Sequence, residues 1–310
     1  MVSETASRAP LLLLVMPTVY PQLMTTTAQL REMLKPLRRQ GKRIALVPTM
    51  GALHEGHLSL VRAAKAECAV TVVSIYVNPS QFGPSEDLQK YPRTLQADLA
   101  ALSGCAVDLV FAPSDQEMYG RGYATWVELG GVAEPLEGQC RPGHFRGVAT
   151  IVLKLLNIVQ PDAAYFGQKD YQQALVIRRM VADLHVPTEI HVCPIVREPD
   201  GLAMSSRNVY LSAAGRQRAV ALWKSLQLAT ELVGRGERDA SAIAGKMREV
   251  IDTAEDAQID YVVLVDPETL APVATILGPT LAALAVRIEN VRLIDNCLLR
   301  GQRSEVRGQG

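Results

Sequence analysis

The sequence predicts an α/β protein, a doubly wound parallel sheet followed by a smaller α+β unit, and three observations carry that expectation. Short β-branched runs alternate with helical repeats from Thr25 to Cys193, which is the pattern of stacked βαβ units. The run Ile44–Val47 passes through Pro48-Thr49-Met50-Gly51 into a helix that opens on His54-x-Gly56-His57. Beyond residue 195 the pattern changes to two long amphipathic helices and three strand-like runs. With 310 residues, the chain exceeds one ordinary domain, so two domains are expected, at 23–195 and 196–310.

Each element has a local cause. Leu30, Met33, Leu34 and Leu37 recur at helical spacing and Gly41 is placed as the stop. Ile44–Val47 reads as a buried strand, 57–67 as a helix, and Val70–Val77 as a central parallel strand. A polar loop over 78–93 is punctuated by Pro79, Gly83, Pro84 and Pro92. A helix at Leu95–Leu102 and a strand at Val107–Ala112 follow, then a strand at Tyr123–Leu129 and a loop over 130–147. The half closes with a helix at Ala149–Val159, a strand at Ala163–Phe166, a helix at Tyr171–Leu184 and a strand at Glu189–Cys193. Helices are expected at Ala213–Val233 and Ala240–Ala254, and strands at Ile259–Val265, Leu281–Ile288 and Val291–Ile294. Residues 1–22 read as a disordered extension: the apolar run Leu11–Met16 is far too short to span a bilayer, and Arg8 is its only basic flank.

Composition narrows the function. Hydrophobic residues make up 48% and charged residues 21%, with 32 basic and 32 acidic side chains, so a nucleic-acid-binding surface is not expected. Nor is a membrane anchor. The five cysteines contain no close pair, which predicts free thiols and a cytoplasmic setting.

Three segments carry chemistry. His54 and His57, three apart at a helix start, share a face with unpaired backbone N–H groups, an arrangement that attracts phosphate. A metalloprotease-type zinc helix needs its histidines four apart, and this spacing differs. Gly167-Gln168-Lys169-Asp170 lies at a strand's C-terminal end, offering a cation for phosphate and a carboxylate for a ribose hydroxyl; by itself Asp170 reads equally as a helix cap. Met204-Ser205-Ser206-Arg207 joins hydroxyls to a guanidinium, which suits charge growing on a leaving pyrophosphate, although alone it also reads as a surface turn. The loop Asn78-Pro79-Ser80-Gln81 adds uncharged amides for a small polar acid.

VPTMGALHEGH at 47–57, SIYVNPSQFG at 74–83, EDLQKYPRT at 86–94, RPGHFRGV at 141–148, FGQKDYQQ at 166–173 and DGLAMSSRN at 200–208 together resemble the pantoate–β-alanine ligase family. The resemblance covers about residues 25–300. It implies a Rossmann-like N-terminal domain with a C-terminal lid, a homodimer, and a two-step ligation. Pantoate and ATP, accompanied by Mg²⁺, would give pantoyl adenylate and pyrophosphate, and β-alanine would then release AMP. The matched positions imply that His54, His57, Lys169, Ser205, Ser206 and Arg207 meet the ATP phosphates. Gly167 and Asp170 match ribose positions, and Val196 and Met204 adenine positions. Gln81, Gln173 and Met50 match the pantoate pocket, with Asn78 and Tyr91 bordering the acid and amine sites. Some relatives carry consecutive acidic residues where this chain has Ala97-Asp98, so the metal is expected on the phosphates and water, with no protein ligand set. Two other readings stay open at this point: a nucleotidyltransferase acting on a phosphorylated acceptor, which the paired glutamines disfavour, and an RNA-binding module, which the balanced charge disfavours.

Overall fold

The computed structural model describes residues 20–84 and 86–300. Most of the expected N-terminal extension, 1–19, lies outside the described residues. Gln22, assigned to that extension from sequence, instead begins the first strand.

Six strands form one parallel sheet: β1 (Gln22–Met24), β2 (Ile44–Thr49), β3 (Val70–Ile75), β4 (Leu109–Phe111), β5 (Ala163–Gly167) and β6 (Glu189–Cys193). Their order is β1-β4-β3-β2-β5-β6. Helices α1 (Thr27–Arg39), α2 (Glu55–Glu67), α3 (Leu95–Gly104), α4 (Asp115–Met118), α5 (Glu137–Cys140), α6 (His144–Val159) and α7 (Tyr171–Asp183) connect them. Strand alternation sorts the core into two layers. Ile44, Leu46, Val72, Ala164 and Phe166 face the layer of α1, α6 and α7, while Ala45, Val47, Val73, Ala163 and Tyr165 face α2 and α3. Burial on both faces explains why these strands read as continuous apolar runs.

The C-terminal unit contains α8 (Ala213–Arg218), α9 (Val220–Gly234) and α10 (Ala240–Ile251). They lead into the antiparallel sheet β7 (Gln258–Val265), β8 (Thr280–Ile288) and β9 (Val291–Leu299). One face of that sheet packs on α9 and α10. The other brings Val265, Leu281 and Ala283 against Leu136, Tyr171 and Leu175. Polar ties reinforce the junction: Arg292 grips Glu137 through two bonds of 2.6 and 2.7 Å, and Tyr171 Oη donates to the Pro267 carbonyl at 3.1 Å.

Three expectations need correction. Tyr123–Leu129 is not a sheet strand. Val127 N–H donates to Thr150 Oγ1 at 2.9 Å, and Tyr123 and Trp126 pack edge to face at 5.6 Å, so side chains occupy the segment where a ladder would run. The loop expected over 130–147 holds a 3-10 turn and α5, and α6 starts at His144 rather than Ala149. Left-handed Gly143 (φ 82°) turns the chain into that helix. The helix expected over 213–233 is two, broken at Ala219.

Candidate active site

Strand order reverses between β2 and β5, and ligands of such sheets bind beyond the strand ends at that switch. A cavity of about 210 Å³ opens there. It is lined by every residue singled out from sequence: Met50, His54, His57, Asn78, Gln81, Tyr91, Gly167, Lys169, Asp170, Gln173, Val196, Met204, Ser205, Ser206 and Arg207. The structure adds an apolar floor, including Val148, Ile151, Val152, Leu155 and Phe166, none of which has a polar group to mark it as a site residue in the sequence. These residues carry no chemical signature, and only the packing of α6 under β2 and β5 reveals them.

The chain leaves β2 through left-handed Gly51 and Ala52 (φ 81° and 49°). Asp98 pins this bend by accepting from Ala52 N–H at 3.1 Å and Leu53 N–H at 2.9 Å. Extended His54 then caps α2: its Nδ1 accepts from Gly56 N–H at 3.1 Å, and His57 Nδ1 accepts from His54 N–H at 3.4 Å. A side chain at Gly56 would put its Cβ 2.8 Å from the His54 ring, so the glycine is what lets the imidazole fold back. Both bonds use Nδ1 as acceptor, which leaves the proton of each neutral ring on Nε2. The rings pack at 4.1 Å between centroids.

Burial, with Lys169 adding to it, pushes the His54 pKa down to about 4; burial, His54 and Lys169 push His57 to about 3. At neutral pH both rings are therefore uncharged donors. His144, buried beside Arg141, is likewise lowered to about 4. Unfolding returns these histidines to about 6.5, so between pH 6.5 and 4 the unfolded chain binds more protons. Their contribution is complete above pH 6.5 and is lost as pH falls toward 4. The urea midpoint should drop between pH 6.5 and 5, above most carboxylate titration, and His57→Gln should flatten that slope. An unchanged slope would show that the rings are not held neutral.

Around this helix start, Asn78 caps the 3-10 turn Pro79–Gln81. Asn78 Nδ2 donates to Gln81 Oε1 at 3.1 Å and to the Gly147 carbonyl at 3.2 Å. Gln81 Nε2 reaches Met50 Sδ at 2.9 Å. Lys169 and Asp170 sit in the turn after β5, fastened by Asn296 Nδ2 on the carbonyls of Gln168 and Lys169 at 3.0 and 2.9 Å. Asp170 makes no side-chain cap to α7, so its carboxylate is left to the cavity. No carboxylate among the described residues lies in ion-pair range of the Lys169 ammonium. Ser206 Oγ donates to the Ala52 carbonyl at 3.0 Å, tying the 205–210 turn to the histidine loop. Arg207 is held by Asp87 through bonds of 3.0 and 2.8 Å and lies over Tyr91, 5.6 Å from the ring centroid. Nothing local in the sequence marks Asp87 or Asn296, because their partners are distant in the chain.

A family model described as pantoate–β-alanine ligase matches residues 22–298. A pantothenate synthetase of Moorella thermoacetica is 53% identical over 278 residues, covering 90% of this chain and 98% of that protein. A solved pantothenate synthetase from Thermus thermophilus superposes with a TM-score of 0.86 at 45% identity, covering 89% of this chain and 98% of that one. A pantoate–β-alanine ligase from Francisella tularensis, solved in complex with β-γ ATP and β-alanine, gives 0.74 at 36% identity over 90% of this chain and 97% of that one.

Proposed function

The chain belongs to the pantoate–β-alanine ligase family, whose members join pantoate to β-alanine through an amide bond, and on that premise we propose how its residues divide the reaction. One observation carries the division: residues from six separated motifs line a single cavity at the sheet's switch point.

In this reading ATP lies along α2's start. Gly167 and Asp170 meet the ribose, and Val196 and Met204 flank adenine. His54 and His57 donate Nε2–H to the phosphates, and Lys169, Ser205, Ser206 and Arg207 surround the departing pyrophosphate. Pantoate rests on the apolar floor beside Met50, its oxygens held by the amides of Gln81 and Gln173. Asn78 and Tyr91 border the acid and the incoming amine. A pantoate carboxylate oxygen attacks the α-phosphorus, the bond to the β-phosphate oxygen breaks, and pyrophosphate leaves. The amine of β-alanine then attacks the acyl carbon, loses a proton, and expels AMP. Nothing becomes covalently attached to the protein, so orientation and charge stabilisation supply the acceleration.

Mg²⁺ would enter with ATP and neutralise phosphate charge. The residues present fit a metal carried on the phosphates and water: both Asp98 oxygens already accept from the backbone N–H groups of Ala52 and Leu53. The division into 23–195 as nucleotide- and pantoate-binding domain and 196–310 as lid is supported by the 205–207 turn closing over the histidines. We read the enzyme as a cytoplasmic homodimer with small-molecule substrates and no nucleic-acid or membrane partner. No helix among the described residues is long and apolar enough to cross a membrane.

The test is isotope exchange. Labelled pyrophosphate should enter ATP only when pantoate is present, without β-alanine, and sustained AMP release should need the amine. Exchange independent of pantoate would overturn the adenylate route.

A further inference from the structure

We propose that His144, set by Arg141, is a positioning residue for pantoate: it fixes the Gln81 carbonyl and thereby the turn that presents Asn78 and Gln81 to the acid. This rests on the reading above that Gln81 holds pantoate. RPGHFRGV at 141–148 contributes none of its polar side chains to the cavity lining, so that reading leaves the Arg141 and His144 side chains without a task.

The geometry supplies one. His144 is buried, and its Nδ1 lies 2.8 Å from the Gln81 carbonyl oxygen. A carbonyl only accepts, so Nδ1 carries the proton. Nε2 is then an acceptor, and it faces Arg141 NH1 at 3.0 Å. An arginine cannot receive that bond, so the guanidinium excludes the other tautomer. Arg141 NH2 also reaches the Gln81 carbonyl at 3.4 Å. Its remaining edge grips Glu86 at 2.7 and 2.6 Å, on the loop leading to Tyr91. Behind it, Glu137 lies 3.9 Å from Arg141 and is held by Arg292 and Tyr261 of the C-terminal sheet. The chain of contacts therefore runs from the C-terminal unit through Glu137, Arg141 and His144 to the pantoate turn. Burial keeps the His144 ring neutral at working pH, as this donor-and-acceptor arrangement requires.

The experiment compares His144→Phe, His144→Asn and Gln81→Ala by steady-state kinetics. His144→Phe should raise the pantoate KM about tenfold or more, because a buried carbonyl loses its donor, with the ATP KM changed less than about twofold. Asn places an amide N–H near the ring Nδ1 and should restore most of the affinity. If Gln81→Ala weakens pantoate and His144→Phe does not, or if Asn fails to rescue, the positioning role is refuted while Gln81 keeps its assignment. If Gln81→Ala itself leaves the pantoate KM unchanged, the pantoate assignment fails and takes this role with it. Should the phenylalanine variant not fold, nitrogen-15 spectra of the wild-type imidazole decide: an Nδ1-protonated ring supports the proposal, and an Nε2-protonated ring overturns it.

Discussion

Replacing Lys169 with alanine should slow adenylate formation by about two to three orders of magnitude, as loss of one transition-state donor does elsewhere. Negative charge moves onto the pyrophosphate as the bond to the α-phosphorus breaks, so a cation beside it gains strength along the reaction path. Lys169 fits because no close ion pair holds its charge; Asp295, which attracts it from farther away, is already paired with Arg197. Arg207 already spends its fork on Asp87, whereas the Lys169 ammonium has no carboxylate in ion-pair range among the described residues. Its turn is also held firmly, since Asn296 binds the Lys169 carbonyl at 2.9 Å. Loss of the side chain should therefore remove a charge without moving the loop. Rapid-quench single turnovers would measure the first step. Turnover of preformed pantoyl adenylate with β-alanine would measure the second, which should stay within about threefold because no pyrophosphate departs in it. A first step at wild-type speed would remove Lys169 from the phosphate site.

The part of this site that could be read from sequence is the part built from local patterns. His54 and His57 cap the same helix from three residues apart, so spacing alone places them together. Lys169 and Asp170 follow the buried strand β5 directly, and α/β geometry puts such residues at the ligand crevice. What stayed hidden depends on chain-distant partners. Asp98 reads as a helix residue, and nothing local shows that it reaches across 46 positions to pin Ala52. Asn296 reaches the Lys169 turn across 127 positions. Tyr123–Leu129 has strand-forming residues, but strand propensity says nothing about whether a neighbouring strand is free to pair. The start of α6 is hidden in the sequence because Pro142 and Gly143 look like loop, although Gly143 in the left-handed region is the turn that launches the helix. The three-residue edge strand β1 is simply too short to carry a period.

Gly147→Ala provides the sharpest test of how pantoate is positioned, because its expected sign opposes ordinary helix energetics. Alanine within a helix usually stabilises by about 1 kcal/mol relative to glycine. Here, in the first turn of α6, a Cβ would lie 2.2 Å from the Ser80 carbonyl oxygen, 2.5 Å from its carbon and 2.7 Å from Gln81 Cα. All three are backbone atoms, so no side-chain rotation relieves the clash. The turn 79–81 must retreat from the helix, and overpacking of this kind costs about 1–3 kcal/mol. Its retreat would stretch the Asn78 bond to the Gly147 carbonyl and the His144 bond to the Gln81 carbonyl, now 3.2 and 2.8 Å. A displacement of about 1 Å at groups that orient a reacting carboxylate can cost about a hundredfold in rate. We therefore expect pantoate kcat/KM to fall by that order and the urea midpoint to fall with it. The triphosphate site is built on other elements, so ATP affinity by calorimetry should hold within about threefold. If the variant is more stable and binds pantoate normally, then α6 does not brace the turn, and the apolar floor alone would have to orient the acid.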